Sequence, residues 1–167
     1  MFLFSDENVK QDGREISYYD NGQIKMKINY KDGQKHGQFD SYYKNGQKNE
    51  SGTYRNGKKD WVWFYYYPSG VKRLEETYKN EKRVRYQHHY ENGQIRELAF
   101  FYSLEDINKY GYNSDQVTVY FYEDGSIKDR IQYKNGKIVF REMFDENFQL
   151  IKVMFYKNGK LVDVLEY

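Results

Sequence analysis

The sequence predicts an all-β protein, an elongated and twisted single-layer antiparallel sheet built from consecutive β-hairpins. The first observation is an alternation of polar and apolar residues in residues 19–43, a period of two typical of a strand with one buried face; the apolar positions are Ile24, Met26, Ile28 and Tyr30. The second is the pair of turns that bound this segment, Asn21-Gly22 and Asp32-Gly33. Such pairs supply the positive φ angles of tight hairpin turns.

The third observation is that the chain repeats this strand–turn–strand–turn unit. Nine of the 13 glycines lie in Asn-Gly or Asp-Gly pairs, and successive first turns recur at intervals of 24, 24 and 23 residues, from Gly22 to Gly93. Six units follow, with first turns at Gly22, Gly46, Gly70, Gly93, Gly125 and Asn147-Phe148. Their second turns are at Gly33, Gly57, Asn80-Glu81, Leu104-Glu105, Gly136 and Gly159. Because bulky residues disfavour positive φ, we expect a different turn geometry at Glu81, Glu105 and Phe148.

The repeat also predicts the domain organisation. Residues 1–12 are expected to be a lead-in, and residues 13–167 one repeat domain of six hairpin units with about 12 to 13 strands. Residues 103–116 break the period, either as a surface insertion or as a binding loop on a rigid sheet. At the other end, residues 161–167 either cover the apolar hairpin before them or form an unpaired edge.

An aromatic residue occupies one fixed place in every unit, the eighth position after the first turn: Tyr30, Tyr54, Tyr78, Phe101, Tyr133 and Tyr156. Aromatic side chains that face each other across strands stabilise a sheet by about 0.2–1 kcal/mol per pair. We therefore expect a largely buried aromatic ladder along one face.

The segment WVWFYYY at residues 61–67 is apolar on both predicted faces. It is either a central buried strand or an aromatic face that contacts a ligand, since exposed Trp and Tyr are frequent hot-spot residues. On the second interpretation, the candidate binding residues from this strand, the next unit and the insertion are Trp61, Trp63, Tyr65, Tyr67, Tyr86, His88, Tyr110 and Tyr112.

Composition excludes several classes of function. The formal charge is only +2, from 27 basic and 25 acidic residues, so we expect no nucleic-acid partner and find no polybasic run for anionic lipid. The absence of cysteine excludes disulfides, thiol nucleophiles and thiolate metal sites. Residues 1–10 lack the basic start of a signal peptide. The compartment is expected to be cytoplasmic if the chain is the full native protein, and the surface or exterior if a signal was removed.

Catalytic and metal-binding patterns are also missing from the sequence. His88 and His89 cannot ligate one metal from the same strand, because adjacent strand residues face opposite ways. The sequence contains no phosphate-binding loop before a helix, no calcium loop and no nucleophile elbow. We therefore expect no catalytic residue, no metal ligand and no cofactor.

The segments YKDGQKHGQFDSYYKNGQ and YRNGKKDWVWFYYYPSG resemble the bacterial variant of the MORN repeat, the membrane occupation and recognition nexus. The resemblance covers about residues 13–167, with Trp61 standing where the first unit has Gly37. It implies an elongated sheet of hairpins and a role in binding rather than catalysis. Some bacterial members are regarded as antitoxin-like, and related repeats lie beside the kinase domain of plant phosphoinositide kinases.

These observations favour a non-catalytic scaffold for protein–protein interaction, of which an antitoxin- or immunity-type protein is one form. The alternative is binding to a membrane surface or a phosphoinositide headgroup through polar-face cations, namely Lys25, Lys27, Arg96, Lys128 and Arg130. A lipid-kinase function would rest on the repeats alone, because the sequence has no Gly-rich loop with a paired lysine. The sequence leaves the partner and the oligomeric state open.

Overall fold

A computed structural model describes residues 12–103 and 115–167, in which thirteen strands form one antiparallel sheet. The strands are β1 (Gly13–Tyr18), β2 (Ile24–Lys31), β3 (Gln34–Tyr42), β4 (Lys48–Arg55), β5 (Lys58–Tyr66), β6 (Lys72–Lys79), β7 (Lys82–His89), β8 (Ile95–Phe101), β9 (Gln116–Phe121), β10 (Ile127–Lys134), β11 (Lys137–Phe144), β12 (Leu150–Lys157) and β13 (Lys160–Glu166). Their order in the sheet is their order in the sequence. No described residue lies in a helix, so the predicted fold class is confirmed.

Because consecutive strands pair, the turns alternate between the two long edges of the sheet. The first edge carries the longer turns, at residues 19–23, 43–47, 67–71, 90–94, 122–126 and 145–149. The second edge carries two-residue turns at residues 32–33, 56–57, 80–81, 135–136 and 158–159. Strand β8 ends and β9 begins at the second edge, and most of the connection between them falls outside the described residues, so the predicted role of residues 103–116 stays a prediction.

The two-residue turns have positive φ at both positions, as in Asp32 at 51° and Gly33 at 71°. This is the geometry of type I′ hairpin turns. The same conformation occurs at Glu81, with φ of 66°, and positive φ also occurs at Phe148, at 65°. The expectation of a different geometry at these two residues is therefore wrong. Pairing of Lys79 with Lys82 leaves two residues to close the turn, so the strand register imposes the conformation on Glu81. Glu105 lies outside the described residues.

A tyrosine ladder links neighbouring hairpins along the first edge. Each hydroxyl donates to a backbone carbonyl one unit further on: Tyr19 to Tyr42 at 2.6 Å, Tyr43 to Tyr66 at 2.7 Å, Tyr67 to His89 at 2.9 Å, Tyr90 to Phe121 at 3.0 Å and Tyr122 to Phe144 at 3.2 Å. The side-chain amides of Asn21, Asn45 and Asn92 donate across in the same way. Each of these five hairpins is thus held to the next by a tyrosine, and three of them also by an asparagine.

The densest packing lies on one face of the sheet, which we call the aromatic face and define by Ile28, Phe39 and Trp63. These side chains are 1%, 6% and 0% exposed. Gly52 makes this possible, because a Cβ at that position would lie 2.4 Å from the Trp63 ring. A glycine covered by a cross-strand aromatic is a recognised stabilising arrangement in sheets.

The predicted ladder of eighth-position aromatics is half-buried rather than largely buried. Tyr30, Tyr54 and Tyr78 pack against the Ile28–Phe39–Trp63 cluster, but each keeps part of its ring in solvent. The physical reason is that these residues lie close to the second edge, where in the described part of the chain no second layer covers them.

At the C-terminal end β13 pairs with β12, and every residue of β13 is exposed. The strand therefore covers the edge of β12 and is itself the outermost strand of the described sheet. Its apolar side chains remain accessible, with Leu161 52% and Val162 59% exposed.

Candidate functional site

Trp61 is the most unusual of the candidate binding residues. It is 73% exposed and its φ is 61°, in the left-handed region. The equivalent residue one unit earlier is Gly37, with φ of 82°. On one side of β5, Trp61 pairs with Tyr78 of β6 in regular register. On the other side, β5 has a bulge against β4: Asp60 pairs with Thr53 and Phe64 with Ser51, so residues 61–63 lie opposite the single residue Gly52. The bulge in β5 therefore fixes the backbone of residue 61 whatever its side chain.

Trp63, two residues along β5, has the opposite environment. Its ring stacks on Phe39 at 5.5 Å and meets Tyr54 edge-on at 4.8 Å, measured between ring centroids. Its Nε1 donates to the carbonyl of Thr53 at 3.1 Å. Of the two interpretations of residues 61–67, the buried strand applies to Trp63. Its side chain packs in the centre of the aromatic face and is not accessible to a partner.

Tyr65 belongs to a polar network centred on Glu76, which is 6% exposed. The carboxylate accepts hydrogen bonds from Tyr65 at 2.9 Å, from Tyr78 at 3.0 Å and from Arg83 at 2.5 Å. Burial by itself would raise the pKa of Glu76, but these three hydrogen bonds outweigh it and hold the pKa below its ordinary value. Burial and the neighbouring carboxylate raise the pKa of Tyr78 to about 12.

A second network of the same kind follows on the next strands. Tyr86 donates to Glu97 at 2.5 Å. Burial, followed by the Glu97 carboxylate, raises the pKa of Tyr120 to about 12. His88 packs edge-on against Tyr86 with ring centroids 5.4 Å apart, and burial lowers the pKa of His88. The histidine is therefore neutral at pH 7 and acts as an aromatic neighbour of Tyr86.

The structure brings four of the predicted residues into two adjacent rows. Trp63, Glu76 and Tyr86 lie opposite one another on β5, β6 and β7, and Tyr65, Leu74 and His88 form the row beside them. Tyr67 does not continue this face, because the register shifts at Tyr65/Tyr66 and Tyr67 enters the first-edge turn. Tyr110 and Tyr112 lie outside the described residues, so their predicted role stays a prediction.

The sequence analysis did not single out Glu76, although a signal for it was present. The sixth position after each first turn forms the centre of the aromatic face, and it is occupied by Ile28, Gly52, Glu76, Ala99, Ile131 and Met154. A carboxylate in an otherwise apolar or small column requires hydrogen-bonding partners if it is buried. The tyrosines on the neighbouring strands supply them.

A groove of about 570 Å³ lies further along the sheet. Within it Arg141 donates two hydrogen bonds to Asp129, at 2.7 and 3.0 Å, and Asp129 is 5% exposed. Its lining residues are Tyr90, Arg96, Glu97, Tyr120, Phe121, Lys128, Asp129, Ile131 and Arg141. The buried Asp129 is therefore neutralised by Arg141, whose side chain is 31% exposed, so the groove contains an ion pair that needs no further partner.

Metal-binding clusters are absent from the part of the chain that the structure describes. No three His, Asp or Glu side chains there are grouped so as to hold a metal ion. The described residues also include no helix long and apolar enough to cross a membrane. What the arrangement offers chemically is a rigid surface for contact, with aromatic rings, hydroxyl groups and buried carboxylates fixed by mutual hydrogen bonds.

Comparison with known proteins gives a family match. The model of the MORN repeat variant matches residues 11–32, 35–56, 60–80 and 117–135, just over half of the chain. Each matched segment contains one hairpin closed by a first-edge turn. No curated protein matches. Among solved structures, the crystal structure of accessory secretory protein 1,2 and 3 in Streptococcus pneumoniae contains a chain that is 15% identical, with a TM-score of 0.19. The alignment covers 93% of this chain and 21% of that chain, so this chain spans about a fifth of its length.

Proposed function

The chain belongs to the MORN repeat variant family, and on that basis we propose that it is a repeat scaffold that binds another protein and carries out no chemistry of its own. The proposed contact surface is the exposed indole of Trp61 together with Tyr65 on the same strand and Tyr86 and His88 on β7. The observation that supports this most directly is the exposure of Trp61 on left-handed backbone.

The energetics of Trp61 favour a role in contact. An L-residue in the left-handed region costs roughly 1–2 kcal/mol. Burial of the indole would offset that cost, but the side chain is 73% exposed in the free chain. Gly37 shows that glycine serves the same backbone position without strain. A residue that destabilises the free protein and exposes a large aromatic surface is the kind found at binding sites.

The residues around Trp61 are held in place by hydrogen bonds and ion pairs. Tyr78 lies opposite on β6 and is fixed by its hydrogen bond to Glu76. Next to Trp61, Asp60 forms an ion pair with Arg55 at 2.8 Å. An exposed aromatic anchor with a polar, hydrogen-bonded rim is the usual organisation of a protein–protein hot spot.

An antitoxin- or immunity-type partner is the finer form of this proposal, and it is supported only by the resemblance to that group. The membrane-surface alternative has less support, because in the described part of the chain four of the five cations on which it depends, all but Arg96, contact other side chains of the protein. Lys25 lies over the Tyr19 ring at 5.7 Å, Lys27 over the Tyr42 ring at 5.4 Å, and Arg130 forms an ion pair with Glu142.

The test is the Trp61→Gly variant, with Phe148→Gly as its matched control. Both changes remove an exposed aromatic from left-handed backbone, at φ of 61° and 65°, but only the first lies on β5, beside the other residues of the proposed contact surface. Proteins captured from a lysate of the source organism by the wild type should be retained by Phe148→Gly and lost by Trp61→Gly. Thermal unfolding should show that both variants are at least as stable as the wild type. Equal capture by Trp61→Gly would reject this surface.

A further inference from the structure

Acidic and basic residues are interspersed along the sequence, but the fold brings exposed cations together at one edge of the sheet and exposed carboxylates together at the other. At the second edge, the two-residue turns and the residue on either side of each contain nine cations: Lys31, Arg55, Lys58, Lys79, Lys82, Lys134, Lys137, Lys157 and Lys160. All nine are exposed. The same positions contain two carboxylates, Asp32 and Glu81. The two-residue turns of the second edge are therefore basic on both sides of the β8–β9 connection, with the carboxylates of Asp12 and Asp115 beside them, although the whole chain has a formal charge of only +2.

The first edge has the opposite sign. Counted in the same way, its turns and the residue on either side of each expose five carboxylates, on Asp20, Glu91, Glu123, Asp124 and Glu146, and two lysines, Lys44 and Lys48. This separation follows from the topology, because consecutive antiparallel pairing sends alternate turns of the chain to opposite edges. The RNG turn at residues 55–57 and the KNG turns at residues 134–136 and 157–159 therefore meet on the second edge, whereas the KNG turn at residues 44–46 lies on the first.

The spacing of the cations defines the shape of a ligand that could contact them. Neighbouring strands lie about 4.8 Å apart, so turns on one edge recur about every 10 Å and the basic surface extends about 50 Å. At physiological ionic strength, charges more than about 8 Å apart are largely screened. A compact anion would therefore interact with one turn, whereas an extended polyanion would interact with several.

Carboxylates at the second edge favour some extended polyanions over others. Glu81 forms an ion pair with Lys58 of the preceding turn, and Arg55 is paired with Asp60. The continuous phosphates of a nucleic acid would run past Asp32, Asp60 and Glu81, where like charges repel. A polypeptide can place its carboxylates selectively, because about three extended residues span the 10 Å between turns.

We propose that the second edge binds an extended acidic segment of a partner protein. This inference rests on the proposed function and adds the charge of the partner. Trp61 lies three residues after Lys58 on β5, so one partner can place an apolar group at Trp61 and its acidic segment along the edge. Complementary charge of this kind contributes mainly to the association rate and to specificity.

The test uses a peptide of about 15 extended residues with a glutamate at every third position among glycines and serines, long enough to reach along several turns. Its binding is measured by fluorescence anisotropy against the wild type and two triple variants. The edge variant is Lys79→Glu/Lys134→Glu/Lys157→Glu. The control is Lys25→Glu/Lys44→Glu/Lys128→Glu, which changes the net charge equally but away from the second edge. We expect the edge variant to weaken binding about tenfold or more and the control less than about twofold, with affinity falling as salt rises.

Equal weakening by the two variants would reduce the effect to net charge and overturn the proposal. So would undetectable binding of the peptide, or tighter binding of a single-stranded oligothymidylate or of vesicles containing anionic lipid. Circular dichroism should show both variants folded, since all six lysines are exposed. The proposed function fails separately: Trp61→Gly would then retain the captured partner. If Trp61→Gly loses that partner while the edge variant keeps it, only the acidic-segment proposal fails.

Discussion

Trp61, Glu81 and Phe148 are three side chains on backbone that normally selects glycine, asparagine or aspartate, with φ of 61°, 66° and 65°. In each case the pairing of the flanking strands imposes the backbone conformation, whatever the side chain prefers. Glu81 recovers part of the cost through its ion pair with Lys58, which is exposed and so contributes little. Phe148 is 53% exposed and gains little from burial.

Phe148→Gly is therefore predicted to stabilise the protein. Removing left-handed strain of roughly 1–2 kcal/mol, less the extra chain entropy of glycine, leaves a gain of about 0.5–1 kcal/mol. Urea denaturation monitored by far-ultraviolet circular dichroism would measure it. The matched control is Gly46→Phe at the equivalent first-edge turn, where φ is 84° and the same reasoning predicts a loss. A destabilised Phe148→Gly would show that the ring makes stabilising contacts that outweigh its strain.

Trp63 makes the largest packing contribution expected of any single residue. The side chain is fully buried and contacts Phe39 and Tyr54, and truncating a large buried aromatic costs about 3–5 kcal/mol. We expect Trp63→Ala to lose that much in urea denaturation. Tyr54→Ala should lose less, because Tyr54 is only half-buried. A loss below about 1 kcal/mol for Trp63→Ala would contradict the packing of the aromatic face.

Strands β5, β6 and β7 are joined by the Glu76 network as well as by their backbone ladders. Tyr65 comes from β5, Glu76 and Tyr78 from β6, and Arg83 from β7. A buried carboxylate with three donors is stable only while it is ionised, since protonation removes the charge that strengthens each bond. This part of the sheet should therefore respond to acid.

The pKa of Glu76 is lowered from 4.5 in the folded state, so the unfolded chain binds the proton more tightly. Its contribution to stability is fully present above pH 4.5 and is lost as the pH falls through the folded pKa. Urea denaturation at several pH values, from neutral down to about pH 3.5, should show a steeper decline for the wild type than for Glu76→Gln.

Burial also lowers the pKa of His88 and of His89 from 6.5, so stability declines as the pH falls below that value. The part of that decline due to His89 is shared by the wild type and Glu76→Gln, because the Glu76 charge acts on the pKa of His88 but not on that of His89, and it provides an internal reference for the comparison. Parallel profiles of the two proteins below pH 4.5 would mean that Glu76 does not sense acid in the folded state.

The whole molecule is a one-dimensional array, in which each hairpin contacts its neighbours through the sheet and through the first-edge tyrosines. Stability in such arrays is greatest in the middle and lowest at the ends. β13 has every residue exposed, whereas β5 contains the fully buried Trp63.

Amide hydrogen exchange should therefore be fastest in β13 and slowest around β3 to β6, where Phe39 and Trp63 pack. Mass spectrometry after exchange in deuterated water would measure this by segment. Uniform protection from β2 to β13 would mean that the array unfolds as a single cooperative unit, against the nearest-neighbour view of the fold.

Local pattern was enough to predict the strands, the turns and the repeat. A period of two and an Asn-Gly or Asp-Gly pair depend on residues a few positions apart, so their meaning does not change with the tertiary context. The predictions for Glu81 and Phe148 were wrong because they considered only the preference of a single residue for negative φ. The pairing of the two flanking strands overrides that preference. Half-burial of the eighth-position aromatics was missed because alternation predicts which face a residue occupies, but not how much covers that face.

The sequence by itself determined the architecture of this protein, because a repeated hairpin with short turns can pair only with its neighbours. The tertiary structure decided which member of residues 61–67 is buried and which is exposed. A bulge in β5 separates Trp63, at 0% exposure, from Trp61, at 73%. It also decided the charge of each edge, because a net charge of +2 gives no information on where alternate turns meet in space.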